Sequence, residues 1–434
     1  MKKNILFTLI TLMCAVYAQA DKVKIGDLYY YLYSTDNTAT VTSPSSSSEK
    51  YSGNIVIPSS VTYEGTTYSV TRMGNYIFAD CTGLTTVQIP GSIEIIAKSA
   101  FENCTNLISV TIGDGVKTIA GGWESKYNQI YYYGAFMGCT KLQSIDIPNS
   151  VTEIGAYAFE DCIGLTSVTI PNSVTTLGIY AFRRCSGITA LHIGNGITTI
   201  ESGTFYGCTG LTSLNIPNSV TEINGHWYYS GAFAGCTGLT TITIPNSVTN
   251  IGYDAFGGCS GLSSITIPNS VTSLGDGAFA GCTNLTSVTI GNGVTILESE
   301  LPDGGKGTFG DCTSLTSIVI PDNVKNINNG AFQGCINLKS VTLPSSLTYI
   351  NAYLFKGCTN LPSVSIPNGV TEIGSCAFYN CASLTSIVIP NNVTEIDNSA
   401  FYGCTNLKSN LETTSPLLPL STQHLLTNGA LTFV

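Results

Sequence analysis

The chain has 434 residues, a formal net charge of −10 and only 10 % charged residues, whereas about a quarter of a typical soluble protein is charged. The excess of acidic residues is distributed along the chain, and the sequence contains no basic run. This argues against nucleic acid as a partner, since its phosphates would be repelled. Serine, threonine, asparagine, glycine and tyrosine supply the polar surface instead, and this composition favours a strand-rich fold.

Residues 1–20 are predicted to be a secretory signal peptide. Lys2 and Lys3 precede an apolar stretch that ends in the small residues Ala18 and Ala20, which is the layout of a cleaved export signal. The stretch is short for a membrane anchor, and no later apolar run is long enough to span a bilayer. We therefore expect an exported chain without a membrane span that is secreted or held at the cell surface.

Two segments flank the repeating part of the chain, which covers residues 51–407. Residues 21–50 alternate in the manner of a hairpin and continue into a serine-rich loop, so we expect an N-terminal β-cap over the first exposed apolar face. Residues 408–434 depart from the repeat, because Asn410 and Glu412 replace inward positions. The sequence leaves open whether this segment is a cap, an ordered tail or the remnant of a shortened chain.

Fourteen cysteines recur at a spacing of 23 residues, apart from three longer gaps of 35, 28 and 30 residues. A fixed period in this range is typical of a leucine-rich-repeat solenoid. These ladder cysteines are Cys81, Cys104, Cys139, Cys162, Cys185, Cys208, Cys236, Cys259, Cys282, Cys312, Cys335, Cys358, Cys381 and Cys404.

One repeat shows how each unit is expected to fold. The segment Leu239–Ile244 alternates as a strand with its apolar side chains inward, and Pro245 ends that strand. Val248–Ile251 forms a second, shorter extended segment, and Gly252 is predicted to permit a sharp bend. Ala255-Phe256 then leads a short helical turn to the next cysteine.

Stacked units bury each other's apolar residues at about 4.8 Å per coil, which a single unit cannot do. A phenylalanine stands at the same position of every repeat, so Phe256 and Phe279 are predicted to stack. The predicted fold is a β-rich solenoid, a right-handed superhelix of about 14 coils with a 23-residue period and short helical turns.

The ladder cysteines allow two interpretations in an exported protein. Disulfides between neighbouring coils are allowed by Cα spacing, but the Cβ atoms point in parallel rather than towards each other. Reduced cysteine is an ordinary small core residue, so we predict buried free thiols. Cys376 stands outside the ladder, at a position expected to face outward.

The repeat L-x-x-I-x-I-P-x-S-V-x-x-I-G-x-x-A-F-x-x-C, found from about Ile55 to Leu407, resembles the BspA-like (Treponema pallidum type) class of leucine-rich repeats. The resemblance implies a bacterial or protozoan surface or secreted protein that serves as a binding scaffold, since several members are implicated in adhesion to host matrix proteins or to other microbes. It transfers no binding residues, because the shared motif is core.

The sequence offers no catalytic residues, no metal site and no cofactor motif. The ladder cysteines stand one per coil without a neighbouring histidine, unlike zinc ligands. His192, His226 and His424 belong to no catalytic motif, and the acidic residues recur singly rather than as the paired carboxylates of a glycosidase. We therefore predict that the chain is not an enzyme.

The first candidate binding surface is the outward side of the strands, called the strand face. Its positions are mostly serine and threonine and are nearly uncharged, so it can bind an extended partner weakly at many points. The alternative is that these positions serve only for solvation. A variable row on it marks a candidate patch made of Gln88, Asp146, His192 and Asn215.

The second candidate surface is made by the three insertions that lengthen the repeat, all placed between the second segment and the Ala-Phe turn. Insertions at one point of a repeat map to one edge, often the binding edge. An alternative is that the rings fold back and cover apolar surface. The first two insertions hold both tryptophans, and the candidate ligand-binding residues are Trp123, Tyr127, Tyr131, Tyr132, Tyr133, His226, Trp227, Tyr228 and Tyr229.

The sequence thus predicts an exported leucine-rich-repeat scaffold for cell-surface adhesion or recognition of an extracellular protein or glycan. Two alternatives stay open, a glycan-capturing module for nutrient uptake and an architectural surface component without a specific ligand.

Overall fold

In a computed structural model of the chain, the described residues are 22–46, 48–126, 129–226, 228, 230–297, 307–407 and 411–413. Within these ranges the chain forms β-strands and hydrogen-bonded turns, and no helix. The chain divides into two compact units, Met1–Cys162 and Ile163–Val434. The predicted signal peptide and most of residues 408–434 lie outside the described residues.

The first unit contains four groups of strands: a cap sheet, two rows of short parallel strands and one hairpin. The strands are β1 (Lys22–Ile25), β2 (Leu28–Tyr33), β3 (Thr38–Thr42), β4 (Gly53–Val56), β5 (Ser60–Tyr63), β6 (Thr66–Met73), β7 (Leu84–Ile89), β8 (Ile95–Ile96), β9 (Ser109–Ile112), β10 (Thr118–Ile119), β11 (Gly121–Lys126), β12 (Gln129–Gly134), β13 (Ser144–Asp146) and β14 (Glu153–Ile154).

The cap sheet has the order β1-β2-β3-β6-β5. It joins residues on both sides of the boundary predicted at residue 50, because β6 belongs to the first coil and pairs in parallel with β3. Tyr51 lies between the cap and the coils, and its ring contacts that of Phe78 with centroids 4.9 Å apart. Its hydroxyl donates to the Thr42 carbonyl at 2.7 Å, so the ring is buried while its polar group keeps a partner.

The second unit repeats two strands per coil. One row holds the strands of the strand face and the other holds two-residue strands, of which six pair side by side as β18-β20-β22-β24-β26-β28. The strands are β15 (Ser167–Ile170), β16 (Thr176–Leu177), β17 (Ala190–Ile193), β18 (Thr199–Ile200), β19 (Ser213–Asn215), β20 (Glu222–Ile223), β21 (Thr241–Thr243), β22 (Asn250–Ile251), β23 (Ser264–Ile267), β24 (Ser273–Leu274), β25 (Ser287–Ile290), β26 (Ile296–Leu297), β27 (Ser317–Val319), β28 (Asn326–Ile327), β29 (Ser340–Thr342), β30 (Tyr349–Ile350), β31 (Ser363–Ser365), β32 (Glu372–Ile373), β33 (Ser386–Ile389), β34 (Glu395–Ile396) and β35 (Leu411–Thr413).

The core of each unit is a ladder of stacked side chains, as predicted. Consecutive phenylalanine rings lie nearly parallel, with centroids 5.0 Å apart for Phe78 and Phe101 and 5.4 Å apart for Phe256 and Phe279. The leucine, isoleucine and valine positions of the repeat are buried beside them. The predicted leucine-rich-repeat core is therefore confirmed within each unit.

The predicted short helical turn is a pair of single hydrogen-bonded turns. Gly257 N donates to the Asp254 carbonyl at 2.8 Å, and Cys259 N donates to that of Phe256 at 3.2 Å. Asp254 and Gly258 both have positive φ, 53° and 70°, which interrupts helical geometry. Glycine, asparagine and aspartate adopt this conformation most readily, and they predominate before the ladder cysteines.

Gly252 is not the residue that bends the chain, contrary to the prediction, because the positive φ falls two residues later at Asp254. A Cβ on Gly252 would lie 2.7 Å from the backbone nitrogen of Gly225 in the preceding coil. Close approach of two coil backbones therefore requires glycine at this position.

The ladder cysteines are buried free thiols, as predicted. Their sulfur atoms also have hydrogen-bond partners: Cys259 Sγ donates to the Phe233 carbonyl of the preceding coil at 3.3 Å, and Cys104 Sγ donates to that of Phe78 at 3.0 Å. A disulfide has no S–H to donate, so the thiol form fits the repeat.

Candidate binding surface

The first insertion folds into an antiparallel hairpin, called the aromatic hairpin, in which β11 pairs with β12. It leaves the coil directly after β10. At its base Ala135 N donates to the Ala120 carbonyl at 2.9 Å. Tyr127, which lies between β11 and β12 in the sequence, is outside the described residues.

One face of the hairpin carries exposed apolar side chains. Directly paired residues of an antiparallel ladder share a face, and the register pairs Trp123 with Tyr132 and Ser125 with Ile130. The exposed fractions are 50 % for Trp123, 47 % for Tyr132 and 58 % for Ile130. Tyr132 also contacts Tyr157 of the following coil, with ring centroids 4.8 Å apart, so this face borders that coil.

The opposite face is held by an ion pair and a cation–π contact. Lys98 of the preceding coil lies 2.7 Å from the Glu124 carboxylate and 4.2 Å from the centroid of the Tyr133 ring. The hydrogen bond from Lys98 lowers the pKa of Glu124. Burial lowers the pKa of Lys98, but hydrogen bonds to Glu124 and Tyr76 outweigh it and raise that pKa. Both groups are therefore charged at neutral pH.

Two glycines allow the hairpin to leave the coil. A Cβ on Gly121 would lie 2.0 Å from the Ala156 carbonyl oxygen, and one on Gly134 would lie 1.9 Å from that of Tyr157. The base therefore packs directly on the backbone of the following coil. Together with Lys98 and Glu124, this packing holds the hairpin on the coil edge and leaves Trp123 half-exposed.

The second insertion is closed by a bridge between Gly225 and Gly231. Within it, the Tyr228 backbone N–H donates to His226 Nδ1 at 3.1 Å, and the two rings stack with centroids 5.9 Å apart. Tyr228 is 70 % exposed. Trp227 and Tyr229 lie outside the described residues, as do residues 298–306 of the third insertion.

The strand-face candidates are all exposed, but the structure brings together only part of the row. In the first unit Thr111 pairs with Gln88 on one side and Asp146 on the other, so these two lie two coils apart. In the second unit His192 pairs with Thr169, and Asn215 pairs with Thr243. His192 and Asn215 stand at the same position of consecutive coils, whose strands β17 and β19 contact each other, so the row has one adjacent pair, whereas Gln88 and Asp146 are separated by Thr111.

A groove of about 720 Å³ runs beside the aromatic hairpin in the first unit. Its floor follows the outward positions of the second segments, where Thr118 pairs with Ile95 and Glu153. Sequence reasoning missed this groove, because Lys98 and Arg72 are separated from the insertion by one or two repeats. The lining includes Arg72, Asn75, Glu94, Ile95, Lys98, Thr118, Tyr133 and Glu153.

Sequence reasoning also missed Ile130 and the hairpin itself. The signal was weak, because the insertion is bounded by glycines and rich in tyrosine, which favours strands, but Tyr127-Asn128 is not one of the glycine-containing pairs that mark a two-residue hairpin. The described part of the chain holds no group of three or more metal-binding side chains. It also contains no helix long and apolar enough to cross a membrane.

The pattern of the BspA type leucine rich repeat region, in six copies, matches residues 53–130, 123–231, 228–301 and 304–415. The chain belongs to this family. The resemblance seen in the repeat is therefore confirmed, and the match reaches into the segment after residue 407. There β35 continues the strand row, and Glu412 pairs with the exposed Val388, so the prediction that Glu412 replaces an inward position is wrong.

Two solved structures extend the comparison with this BspA-type chain. A leucine-rich repeat protein from Bacteroides ovatus ATCC 8483 is 30 % identical, with 89 % of this chain and 93 % of that one covered and a TM-score of 0.72. A leucine rich cell surface protein from Faecalibacterium prausnitzii A2-165 is also 30 % identical, with 93 % and 97 % covered and a TM-score of 0.55. No curated protein matches the sequence.

Proposed function

We propose that this BspA-type chain is an exported, non-enzymatic scaffold that recognises an extracellular protein or glycan through the aromatic hairpin. The observation that carries the proposal is the paired exposure of Trp123 and Tyr132 on one face of a hairpin whose base is fixed to the coil. Rigid exposed aromatic rings supply large contact area at low entropic cost and are typical anchors of binding sites.

Three further facts support an extracellular role. The N-terminal sequence has the layout of an export signal. The described residues present regular polar strands and aromatic loops rather than a catalytic constellation. A structural neighbour is a cell surface protein. Trp227 and Tyr229 of the second insertion are proposed to contribute to the same recognition.

A specific observation favours glycan capture as a second candidate. The groove beside the hairpin presents hydrogen-bonding side chains of Arg72, Asn75, Glu94 and Glu153 to one space, and oligosaccharides are recognised by such convergent polar groups next to aromatic rings. In this candidate the strand-face row Gln88, Asp146, His192 and Asn215 serves only for solvation.

The test is a binding screen of the chain lacking residues 1–20 against immobilised matrix proteins and glycans. Wild type is compared with Trp123→Ala and with the control Tyr402→Ala, which removes a ring of similar exposure, 48 %, in the second unit. We expect Trp123→Ala to weaken binding about tenfold or more and Tyr402→Ala to leave it unchanged. Equal binding by all three proteins would refute the site, and a preference for glycans over proteins would select the second candidate.

A further inference from the structure

The outer edge of β12 is a strand edge without a partner. Within the described residues β11 and β12 pair only with each other. Ala135 N donates to the Ala120 carbonyl, so residues 120 and 135 form a hydrogen-bonded pair. Hydrogen-bonded and non-hydrogen-bonded pairs alternate along an antiparallel ladder, so the pairs 123/132 and 125/130 are non-hydrogen-bonded. Backbone N–H and C=O groups of such pairs point away from the other strand. On β12 they belong to Ile130 and Tyr132.

The two edges of the hairpin differ in their protection. β11 carries the charged residues Glu124 and Lys126, whereas β12 reads QIYYYG and carries no charge and no proline. The register of β12 is continuous, without a bulge. Charges, prolines and bulges are the usual devices that keep an edge from pairing with another chain. The edge of β12 has none of them.

We propose that β12 pairs with β12 of a second copy of this chain, antiparallel, about a two-fold axis at Tyr131. In this register Ile130 lies opposite Tyr132 of the partner subunit. The two-fold axis also places Tyr132 opposite Ile130 of the partner subunit. Both contacts are hydrogen-bonded pairs, so the outward backbone groups of both residues are satisfied at once. Each contact also sets an aromatic ring beside a β-branched side chain, a favourable cross-strand pair.

The charges of the chain favour this edge as the contact between copies. Two copies with a net charge of −10 each repel one another over most of their surface. At the hairpin, the nearest carboxylate, Glu124, is on the inner strand and is paired with Lys98 at 2.7 Å. Pairing would cover Ile130, Tyr131 and Tyr132, which are 58 %, 43 % and 47 % exposed.

The size of the contact predicts a weak dimer. A six-residue strand edge covers less than the roughly 1,200 to 2,000 Å² buried in a stable complex. Association should therefore be reversible and visible only at high concentration, or where many copies share one surface and their contacts act together. This self-recognition uses the edge of β12 and shares Tyr132 with the proposed ligand-binding face, but different substitutions test the two, so either can fail without the other.

Sedimentation analysis from about 1 µM to about 1 mM tests the proposal. Wild type should shift towards dimer as concentration rises. Ile130→Pro removes an outward N–H from β12 and should leave a monomer. The control is Ser125→Pro, because Ser125 is paired with Ile130 and its outward N–H lies on the β11 edge. This variant should still dimerise. Circular dichroism and melting of each variant check folding. A monomer at every concentration, or dimerisation that survives Ile130→Pro, would overturn the proposal.

Cross-linking tests the register. The two Tyr131 residues would form a non-hydrogen-bonded pair about 4.5 Å apart, within disulfide reach, while the two Gln129 residues would lie about 13 Å apart. In a Cys376→Ser background, which removes the half-buried thiol outside the ladder, Tyr131→Cys should form a disulfide-linked dimer and Gln129→Cys should not. Equal cross-linking of the two variants would contradict this register, and so would cross-linking of Gln129→Cys alone.

Discussion

The rings of Phe256 and Phe279 lie parallel in consecutive coils, with centroids 5.4 Å apart and planes at 12°. Phe256 also stacks on Phe233 at 5.4 Å, so Phe256→Ala removes two ring contacts and leaves a cavity in a continuous core. We expect a loss of about 3 to 5 kcal/mol in the free energy of unfolding. Denaturant unfolding monitored by circular dichroism measures it, with Phe256→Leu as a milder comparison. A loss below about 1 kcal/mol would contradict the stacked core.

The ion pair between Glu124 and Lys98 makes the hairpin sensitive to acid. The pKa of Glu124 is lower in the folded chain than in the unfolded one because Lys98 donates to it. Its stabilising contribution is therefore complete above the unfolded pKa and is lost as pH falls through the folded pKa. We expect Trp123 fluorescence in a Trp227→Phe background to change on acidification in wild type. Glu124→Gln should shift or remove that transition, and an identical transition in both proteins would exclude the pair as its cause.

The ladder thiols should be unreactive in the folded protein. Burial raises the pKa of Cys236 to about 12 and that of Cys139 to about 12, and the thiolate is the reactive form. We expect iodoacetamide to modify the half-buried Cys376 in native protein and the ladder thiols only after denaturation. Mass spectrometry of the digested protein locates the modified residues. Rapid native modification of Cys236 would contradict the packing.

The same thiols should leave stability independent of reductant, because the described cysteines are all free. A broken disulfide would typically cost about 2 to 4 kcal/mol, so the melting temperature with and without reductant is a direct comparison. Thiol counting in denatured, unreduced protein is the control. Fewer than half of the ladder thiols free would show that they form disulfides and would contradict the prediction.

Gly134 at the base of the aromatic hairpin should not tolerate a side chain. Its Cβ would lie 1.9 Å from the Tyr157 carbonyl oxygen, whereas the Cβ of the control Gly74→Ala would have no heavy atom closer than 3.4 Å. We expect Gly134→Ala to cost about 1 to 3 kcal/mol in the free energy of unfolding and to weaken the ligand binding proposed for Trp123. Gly74→Ala should have a small effect on both. Thermal melting and the binding screen measure the two properties.

The core of this chain could be predicted from the sequence because the same apolar positions recur in each repeat. Leu239, Val248 and Phe256 recur at one spacing, and only stacking buries all of them. The predicted bend at Gly252 is wrong, because a glycine can serve either positive φ or close approach, and a single sequence does not separate the two. The positive φ at Asp254 accompanies a hydrogen bond from its backbone N–H to the Asp276 carbonyl of the following coil at 3.0 Å, a tertiary contact that the local sequence does not indicate.

The candidate site was predictable in composition and not in geometry. The aromatic residues of the first insertion stood out, but the face shared by Trp123 and Tyr132 depends on a hairpin register. The contact of Tyr133 with Lys98 joins residues 35 positions apart, and nothing local to either residue indicates it. Trp227 and Tyr229, which lie outside the described residues, stay predictions.

The hairpin enters and leaves the coil without changing the spacing of the ring ladder. Phe78 and Phe101, 23 residues apart, have centroids 5.0 Å apart, and Phe101 and Phe136, 35 residues apart across the insertion, have centroids 5.1 Å apart. Because the entropic cost of a longer loop grows only slowly with its length, this point of the repeat can accept new segments while the scaffold stays the same. The end of the second segment is thus a place where natural variation, or a designer, can add a new segment bounded by two glycines, as β11 and β12 show.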